Sequence, residues 1–444
     1  MILVKKKSVL LQSQSKRRSG SSVWLEYMPV THGVASSSLV RTAKQKSSLS
    51  GLFYYIVMKY PAFFYSKRFS IWRKWMWVFI LTIVCGSCQK EKTQSMPRWQ
   101  PTAYEWQIPR YFPTQLHLPN DNPMTEEGVA LGRCLFYDNR LSKNGEMCCA
   151  TCHVQAAGFD VGGNNSHLVN GQPIGVNGTP TPHNALPLVN VVFNANGYGW
   201  NGGIYANNPN VYSRQIEDIV KMAFEDPNEL DITSEQVVSI LRANATYRSM
   251  FYAAFGSEEV TMSKVQKAIA QFVRTFLSGN SKFDSYLRGE TQLSDAEWRG
   301  YVLFTTEEGA DCFHCHGGAG TPLFTTNMFY NNALDEHPQG EDSHYAITGA
   351  MADWGSYRAP TLRNIAVSAP YMHDGRYSTL DEVLQFYNSG LHYSTYVHPL
   401  MHKIGDGGAC LTPNQLADLK AFLMTLTDEE FLTNQKFSAP LSMP

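Results

Sequence analysis

The sequence predicts a mainly α-helical protein of two domains built on one plan, each wrapped by long irregular loops. Three observations predict it. A segment of helical periodicity, a C-x-x-C-H run and a loop without periodicity follow one another twice along the chain. Helix-start signals recur between and after these runs. The length of 444 residues, 43% of them hydrophobic, suits one large domain or two ordinary ones and excludes fibrous, collagen-like or wholly disordered classes.

Residues 1–88 stand apart. They hold 14 Lys/Arg and one acid, Glu26, leaving 23 basic and 37 acidic residues in 89–444, a formal charge of −14. Nucleic acid is therefore excluded as a natural partner, and a basic protein suits the mature chain better. Residues 1–57 are Ser- and Lys/Arg-rich, so Met58 makes a reasonable initiator. The basic residues Lys59 to Lys74 and the apolar run from Trp75 to Val84 read as a secretory signal, too short to span a bilayer. Cys85-Gly86-Ser87-Cys88 resembles a lipoprotein cleavage site with Cys88 as the lipidated residue. Cys85 departs from the usual aliphatic residue, which leaves ordinary signal cleavage open.

Residues 89–125, rich in Pro and aromatics, read as a tether and lead-in. From Glu126 to Tyr137 the apolar residues Val129, Leu131, Leu135 and Phe136 recur at helical spacing. Residues 154–214 lack periodicity, as an ordered functional loop would. Thr233-x-x-Gln236, Ser263-x-x-Gln266 and Ser294-x-x-Glu297 read as capping boxes. Val265, Ile269, Phe272 and Phe276 mark an amphipathic core helix. Ser294 to Phe304 is the helix before the second C-x-x-C-H run, and 317–357 is again irregular. Thr412-Pro413-x-Gln415 starts a final helix to about Leu426. The expected domains are 126–288 and 289–444.

The chemistry comes from cysteine spacing. Cys149-Ala150-Thr151-Cys152-His153 and Cys312-Phe313-His314-Cys315-His316 both carry the c-type haem attachment signature. Two thiols at this spacing reach the two vinyl groups of one porphyrin, and the adjacent His places its imidazole on the iron. A zinc site would use both cysteine pairs together and needs no His after each. Two cytochrome-c-like haem domains with two covalently bound haem c groups follow, with His153 and His316 as iron ligands. Cys148 either competes for a vinyl group or pairs with Cys134 or Cys410.

With the motifs placed, residues 105–430 resemble the bacterial di-haem cytochrome c peroxidase/MauG family. The matching runs are Leu131-Gly132-Arg133-Cys134-Leu135-Phe136-Tyr137-Asp138, Trp200-Asn201-Gly202, Ala359-Pro360-Thr361-Leu362-Arg363-Asn364 and Pro370-Tyr371-Met372-His373-Asp374-Gly375. The resemblance implies that H2O2 is cleaved at the N-terminal haem while the C-terminal haem passes in electrons from a small cytochrome c or cupredoxin. Some members hold a removable His on the first iron. The corresponding run here, Pro173-Ile174-Gly175-Val176, offers Val176, which cannot ligate iron, so the first haem is expected to be open and reductive activation unnecessary. His167 is the competing ligand.

The resemblance further implies Glu229 as the acid/base, with Gln215 as its companion and Glu225 as the fallback. Trp200 matches the Trp between the haems. The second iron is expected to carry Met401, with Met372, His398 and His402 as rivals. MauG-like members use Tyr there, and Tyr396 does not fit that register. The resemblance also implies an interdomain Ca²⁺ bound by Asn184, Ser368 and Pro370, and it places Arg363 and His373 near the second haem. The expected protein is an exported periplasmic peroxidase, lipid-anchored at Cys88, with homodimers known in the family. A MauG-like oxidase that modifies a partner protein and a plain electron carrier are the alternatives.

Overall fold

Residues 99–194, 196–203, 215–318 and 320–444 are described by the structure, a computed structural model. The signal-like run, Met58 and Cys88 lie outside them. Ten α-helices of five residues or more form among the described residues: α1 (Glu126–Phe136), α2 (Ile216–Glu225), α3 (Ser234–Ala243), α4 (Ala245–Phe255), α5 (Met262–Arg274), α6 (Lys282–Leu287), α7 (Asp295–Phe304), α8 (Leu380–Ser389), α9 (Pro413–Met424) and α10 (Glu429–Thr433). Two-residue antiparallel ladders pair β1 (Leu168–Val169) with β2 (Gln172–Pro173) and β3 (Phe329–Tyr330) with β4 (Tyr357–Arg358). None of the described helices is long and apolar enough to cross a membrane.

Helix starts follow local chemistry. The Thr125 hydroxyl caps α1 by accepting from Gly128 N–H at 3.0 Å. Reciprocal capping boxes open α3 at Thr233/Gln236, α7 at Ser294/Glu297 and α9 at Thr412/Gln415, where Pro413 takes the first helical position. The expected box at Ser263 does not form. Thr261 caps α5 instead, its hydroxyl accepting from Lys264 N–H at 3.3 Å. This earlier start frees Gln266 to donate to the Glu217 carbonyl at 2.8 Å and tie α5 to α2.

Two large hydrophobic cores and a small third cluster of Phe112, Val192, Phe193 and Leu323 form within one compact unit, Ser95–Pro444. The first joins Leu131, Leu135 and Phe136 of α1 to Val265, Ile269 and Phe272 of α5 and to Phe276 and Phe159, whose rings stack at 3.8 Å. The second gathers Phe283, Phe304, Phe324, Phe422 and Leu426. Each core is built on the same crossing. A Cβ at Gly132 of α1 would collide with the Ala268 carbonyl of α5, and one at Gly300 of α7 with the Asp418 carbonyl of α9. Only a residue without a side chain allows backbones to approach so closely.

Polar pairs lock each core. In the first, Arg274 donates to both oxygens of Glu217 at 2.9 and 2.7 Å, and both side chains are buried. In the second, Arg363 donates to both oxygens of Asp284 at 2.8 Å and to the Pro322 carbonyl. Arg363 is fully buried in this pairing. Asp428 accepts from Ser278 Oγ and from the Gly279 and Asn280 N–H groups, joining the C-terminal segment to the passage between the cores. Beyond it Phe431 packs into the first core, and Arg133 of α1 and Tyr137 just after it donate to the carbonyls of Ser438 and Phe437.

Candidate active site

The helical turn Cys149–Cys152 delivers the first motif to the wall of a cavity of about 260 Å³. Cys149, Cys152 and His153 share this wall with Glu229 and Trp200, and Val220, Phe224, Ile269 and Val273 supply its apolar side. The loop after the motif turns back sharply: Val154 N–H donates to the Asp160 carbonyl and Phe159 N–H to that of Val154. This aims the Phe159 carbonyl at His153 Nδ1, 2.9 Å away. A carbonyl only accepts, so Nδ1 carries the proton and Nε2 keeps its lone pair. Burial pushes the imidazole pKa down, which keeps the ring neutral.

The second motif repeats this arrangement. Phe313–His316 forms one helical turn, and His316 Nδ1 lies 3.1 Å from the Pro360 carbonyl. Burial pushes His316 down to about 4. Burial also raises the thiols of Cys149, Cys152, Cys312 and Cys315, all free in this structure, as are Cys134, Cys148 and Cys410. Two uncommitted thiols and a neutral imidazole with a free Nε2 at each motif are the donor set a haem c needs, so the residues fit the group at both sites. Pro360 also lines the first cavity, so one residue touches both sites.

Glu229 reaches the first cavity from the turn after α2. It lines the cavity, and burial, with a smaller push from the Asp226 carboxylate, raises its carboxyl to about 7. The Glu229 carbonyl accepts from Val176 N–H at 2.9 Å, which sets the 173–176 run beside it. Gly175 must be glycine here, because a Cβ would strike the Asn228 carbonyl. Val176 packs on the first core. Among the described residues, neither His167, Gln215 nor Glu225 lines the cavity. Gln215 is exposed at the N-terminus of α2, and Glu225 is exposed and accepts from Ser234 Oγ.

Trp200 is buried, its indole N–H donating to the Asn184 carbonyl at 2.8 Å. Its ring lies 6.4 Å from that of His373, which stacks on Tyr357 at 3.7 Å. His373 therefore stands between Trp200 and Tyr357, and burial lowers its pKa to about 4. Asn184 Nδ2 donates to the Pro370 carbonyl at 2.7 Å, while its Oδ1 is buried without a partner. Ser368 is buried near by in sequence, before the cis Ala369–Pro370 bond. The two ends of an amide side chain are assigned rather than observed. Turned over, Oδ1 would face the Pro370 oxygen at that short separation, which a cation between them would relieve. These residues fit a Ca²⁺.

Around the second motif the structure brings in a residue that sequence reasoning missed. The Tyr387 phenol of α8 is buried and accepts from Asn332 Nδ2 at 3.0 Å, and burial pushes its pKa up. The amphipathic spacing of α8 was the signal that could have placed it. Met401 is half-buried ahead of the 3-10 turn His402–Asp406. Met372 Sδ lies 3.8 Å from Asn332 Nδ2, and the His398 ring packs edge-on against Tyr330 at 4.7 Å. His402 turns to Asp311 at 3.1 Å, and Tyr396 packs on Trp354 at 5.7 Å.

The comparisons agree with this architecture. The family model described as di-haem cytochrome c peroxidase matches residues 126–292. The methylamine utilization protein MauG of Methylorubrum extorquens is 32% identical over 280 residues, covering 63% of this chain and 73% of that protein. Cytochrome-c peroxidase IdrP1 of Denitromonas iodatirespirans is 31% identical over 355 residues, covering 73% of this chain and 87% of that protein. A solved MauG-like protein associated with microbial copper homeostasis is 36% identical with a TM-score of 0.65, covering 77% of this chain and all of that one. Two haem-ready motifs, a mainly helical fold and relatives at this identity over most of their length lead to one conclusion: the chain belongs to the di-haem cytochrome c peroxidase and MauG family.

Proposed function

We propose that the protein is a di-haem c-type cytochrome peroxidase, an oxidoreductase that reduces H2O2 to two waters with two protons and two electrons from a small reduced cytochrome c or cupredoxin. The observation that carries this reading is Glu229, a carboxyl with a pKa near 7 on the wall that also holds Cys149, Cys152 and His153. Covalently bound haem c supplies the iron that binds peroxide at the first site and the iron that relays electrons at the second. The chain supplies the rest.

Cys149 and Cys152 hold the first haem, and His153 presents Nε2 with its tautomer fixed by the Phe159 carbonyl. Glu229 takes the proton from one peroxide oxygen and returns it to the other, a role that a desolvated carboxyl titrating near the working pH performs well. Val176 offers no ligand atom, so the 173–176 run would supply no side chain to compete with the substrate for the first haem. Cys312, Cys315 and His316 hold the second haem. Trp200, with His373 and Tyr357 beyond it, forms an aromatic passage between the two halves. Asn184, with the carbonyls of Ser368 and Pro370, holds Ca²⁺ where that passage crosses. Gln215, at the N-cap of α2, is the companion of Glu229 in this reading.

Tyr387 favours a second reading. A phenol, rather than the thioether of Met401, would complete the second haem's coordination, as in MauG-like members, and a MauG-like protein is 36% identical over its full length. The chain would then oxidise a residue of a partner protein. The acidic 89–444 region suits a basic donor, chiefly through association rate. Export to the periplasm, a lipid anchor at Cys88 and homodimer formation complete the proposal.

The test is spectroscopic. Electronic and EPR spectra of the ferric protein should show one high-spin and one low-spin haem, with the high-spin signal consumed by one equivalent of H2O2. Two low-spin haems inert to peroxide would overturn the reading. Turnover that consumes reduced cytochrome c separates the peroxidase from the MauG-like oxidase.

A further inference from the structure

We propose that Glu307, His314 and His402 form a binding site for one late first-row divalent cation, Zn²⁺ or Cu²⁺, on the surface beside the second haem-attachment motif. Three separate segments supply them. Glu307 follows α7, His314 lies between Cys312 and Cys315, and His402 opens the 3-10 turn His402–Asp406. One donor atom from each lies within 4.8 Å of the other two.

The arrangement is organised by a fourth residue. The carboxylate of Asp311 is almost completely buried and faces both imidazoles. Its Oδ1 lies 2.6 Å from His314 Nδ1 and its Oδ2 lies 3.1 Å from His402 Nδ1. A carboxylate oxygen only accepts, so both rings carry a proton on Nδ1 and, when neutral, both present the lone pair of Nε2. Glu307 Oε1 stands 3.6 Å from His314 Nε2, on the side of that ring away from Asp311. The two rings meet edge to face at 5.1 Å, and Phe313 packs over His314 at 4.1 Å.

Metal-binding imidazoles characteristically donate their second ring N–H to a carboxylate, which fixes tautomer and orientation. Asp311 does this for two imidazoles at once. Two nitrogens and one carboxylate oxygen, with an open position for water, suit tetrahedral Zn²⁺. The same donors suit Cu²⁺, which binds most tightly in the divalent series. Ca²⁺ and Mg²⁺ prefer all-oxygen sets and are poor occupants. The site takes nothing from the haem, because His316 and not His314 fills the iron-ligand position of the motif.

The experiment is calorimetric titration of ZnCl2 into the holoprotein, freed of transition metals other than haem iron, in calcium-containing buffer. Wild type is expected to take up one Zn²⁺ per chain. His402→Ala and Glu307→Gln should each weaken that uptake at least tenfold. Asp311→Asn, at a backbone φ of +57° that Asn tolerates, should weaken it by about 10- to 100-fold through loss of orientation. Unchanged haem absorbance in each variant shows that the fold is kept. Absence of stoichiometric uptake by wild type, or uptake that His402→Ala retains undiminished, would overturn the proposal.

Discussion

Trp200 hangs from Asn184: its indole N–H donates to the Asn184 carbonyl at 2.8 Å, while the Asn184 side chain reaches the Pro370 carbonyl at 2.7 Å. The Asn184 backbone N–H also donates to the His373 carbonyl at 2.7 Å. One asparagine therefore positions the ring between the two halves and forms one side of the proposed Ca²⁺ site. Chelating calcium should slow turnover with reduced cytochrome c, and adding it back should restore the rate. Asn184→Ala should show the slow rate under both conditions. Trp200→Phe removes the indole donor, costing about 1 kcal/mol of stability, and should slow cytochrome oxidation more than it slows peroxide consumption in a single turnover. Stopped-flow absorbance measures both.

Glu229 sets a pH limb. Burial raises its carboxyl to about 7, so below that pH it is protonated and cannot take the peroxide proton. Peroxidase activity should therefore fall as the pH drops through 7 and hold above it. Glu229→Gln should lower kcat/KM for H2O2 by about 10²–10⁴-fold, the usual worth of a positioned acid/base, and should flatten that limb while leaving both haems attached. A variant that keeps wild-type rates and the same limb places the acid/base elsewhere.

Tyr387 and Met401 can be separated by EPR. If the phenol completes the second haem, Tyr387→Phe should change the low-spin signal and shift its visible bands. Met401→Ala should leave both unchanged. The reverse pattern returns the ligand role to Met401.

The cores give a stability prediction. Arg274→Met would leave the Glu217 carboxylate buried without its cation and cost about 3–5 kcal/mol. Gly300→Ala forces a methyl into the Asp418 carbonyl across α7 and α9, an overpacking that costs about 1–3 kcal/mol. Both should lower the midpoint of urea unfolding, with the haem-to-protein absorbance ratio unchanged before the transition.

Much was legible in the sequence because it was local. C-x-x-C-H fixes thiol and imidazole within one helical turn, so both haem sites could be read from spacing alone. Capping boxes at Thr233, Ser294 and Thr412 could be read for the same reason, since cap and partner are three residues apart. Ser263 misled because two adjacent start signals compete. The register that buries Val265, Ile269 and Phe272 was settled by packing on α1, and Gln266 went to Glu217 instead.

The rest was decided in three dimensions. Arg363 found its buried partner Asp284, 79 positions away, only in the second core. Tyr387 gained its place only when α8 packed beside Cys312 and Cys315. Asp311 could be seen to orient both His314 and His402 only after the 3-10 turn folded back over the motif. Sequence alone pointed to the haem-attachment groups, because that chemistry lives within five consecutive residues. Tertiary structure decided what surrounds those groups, because burial, ion pairing and ring tautomers depend on segments that meet only when both cores have formed.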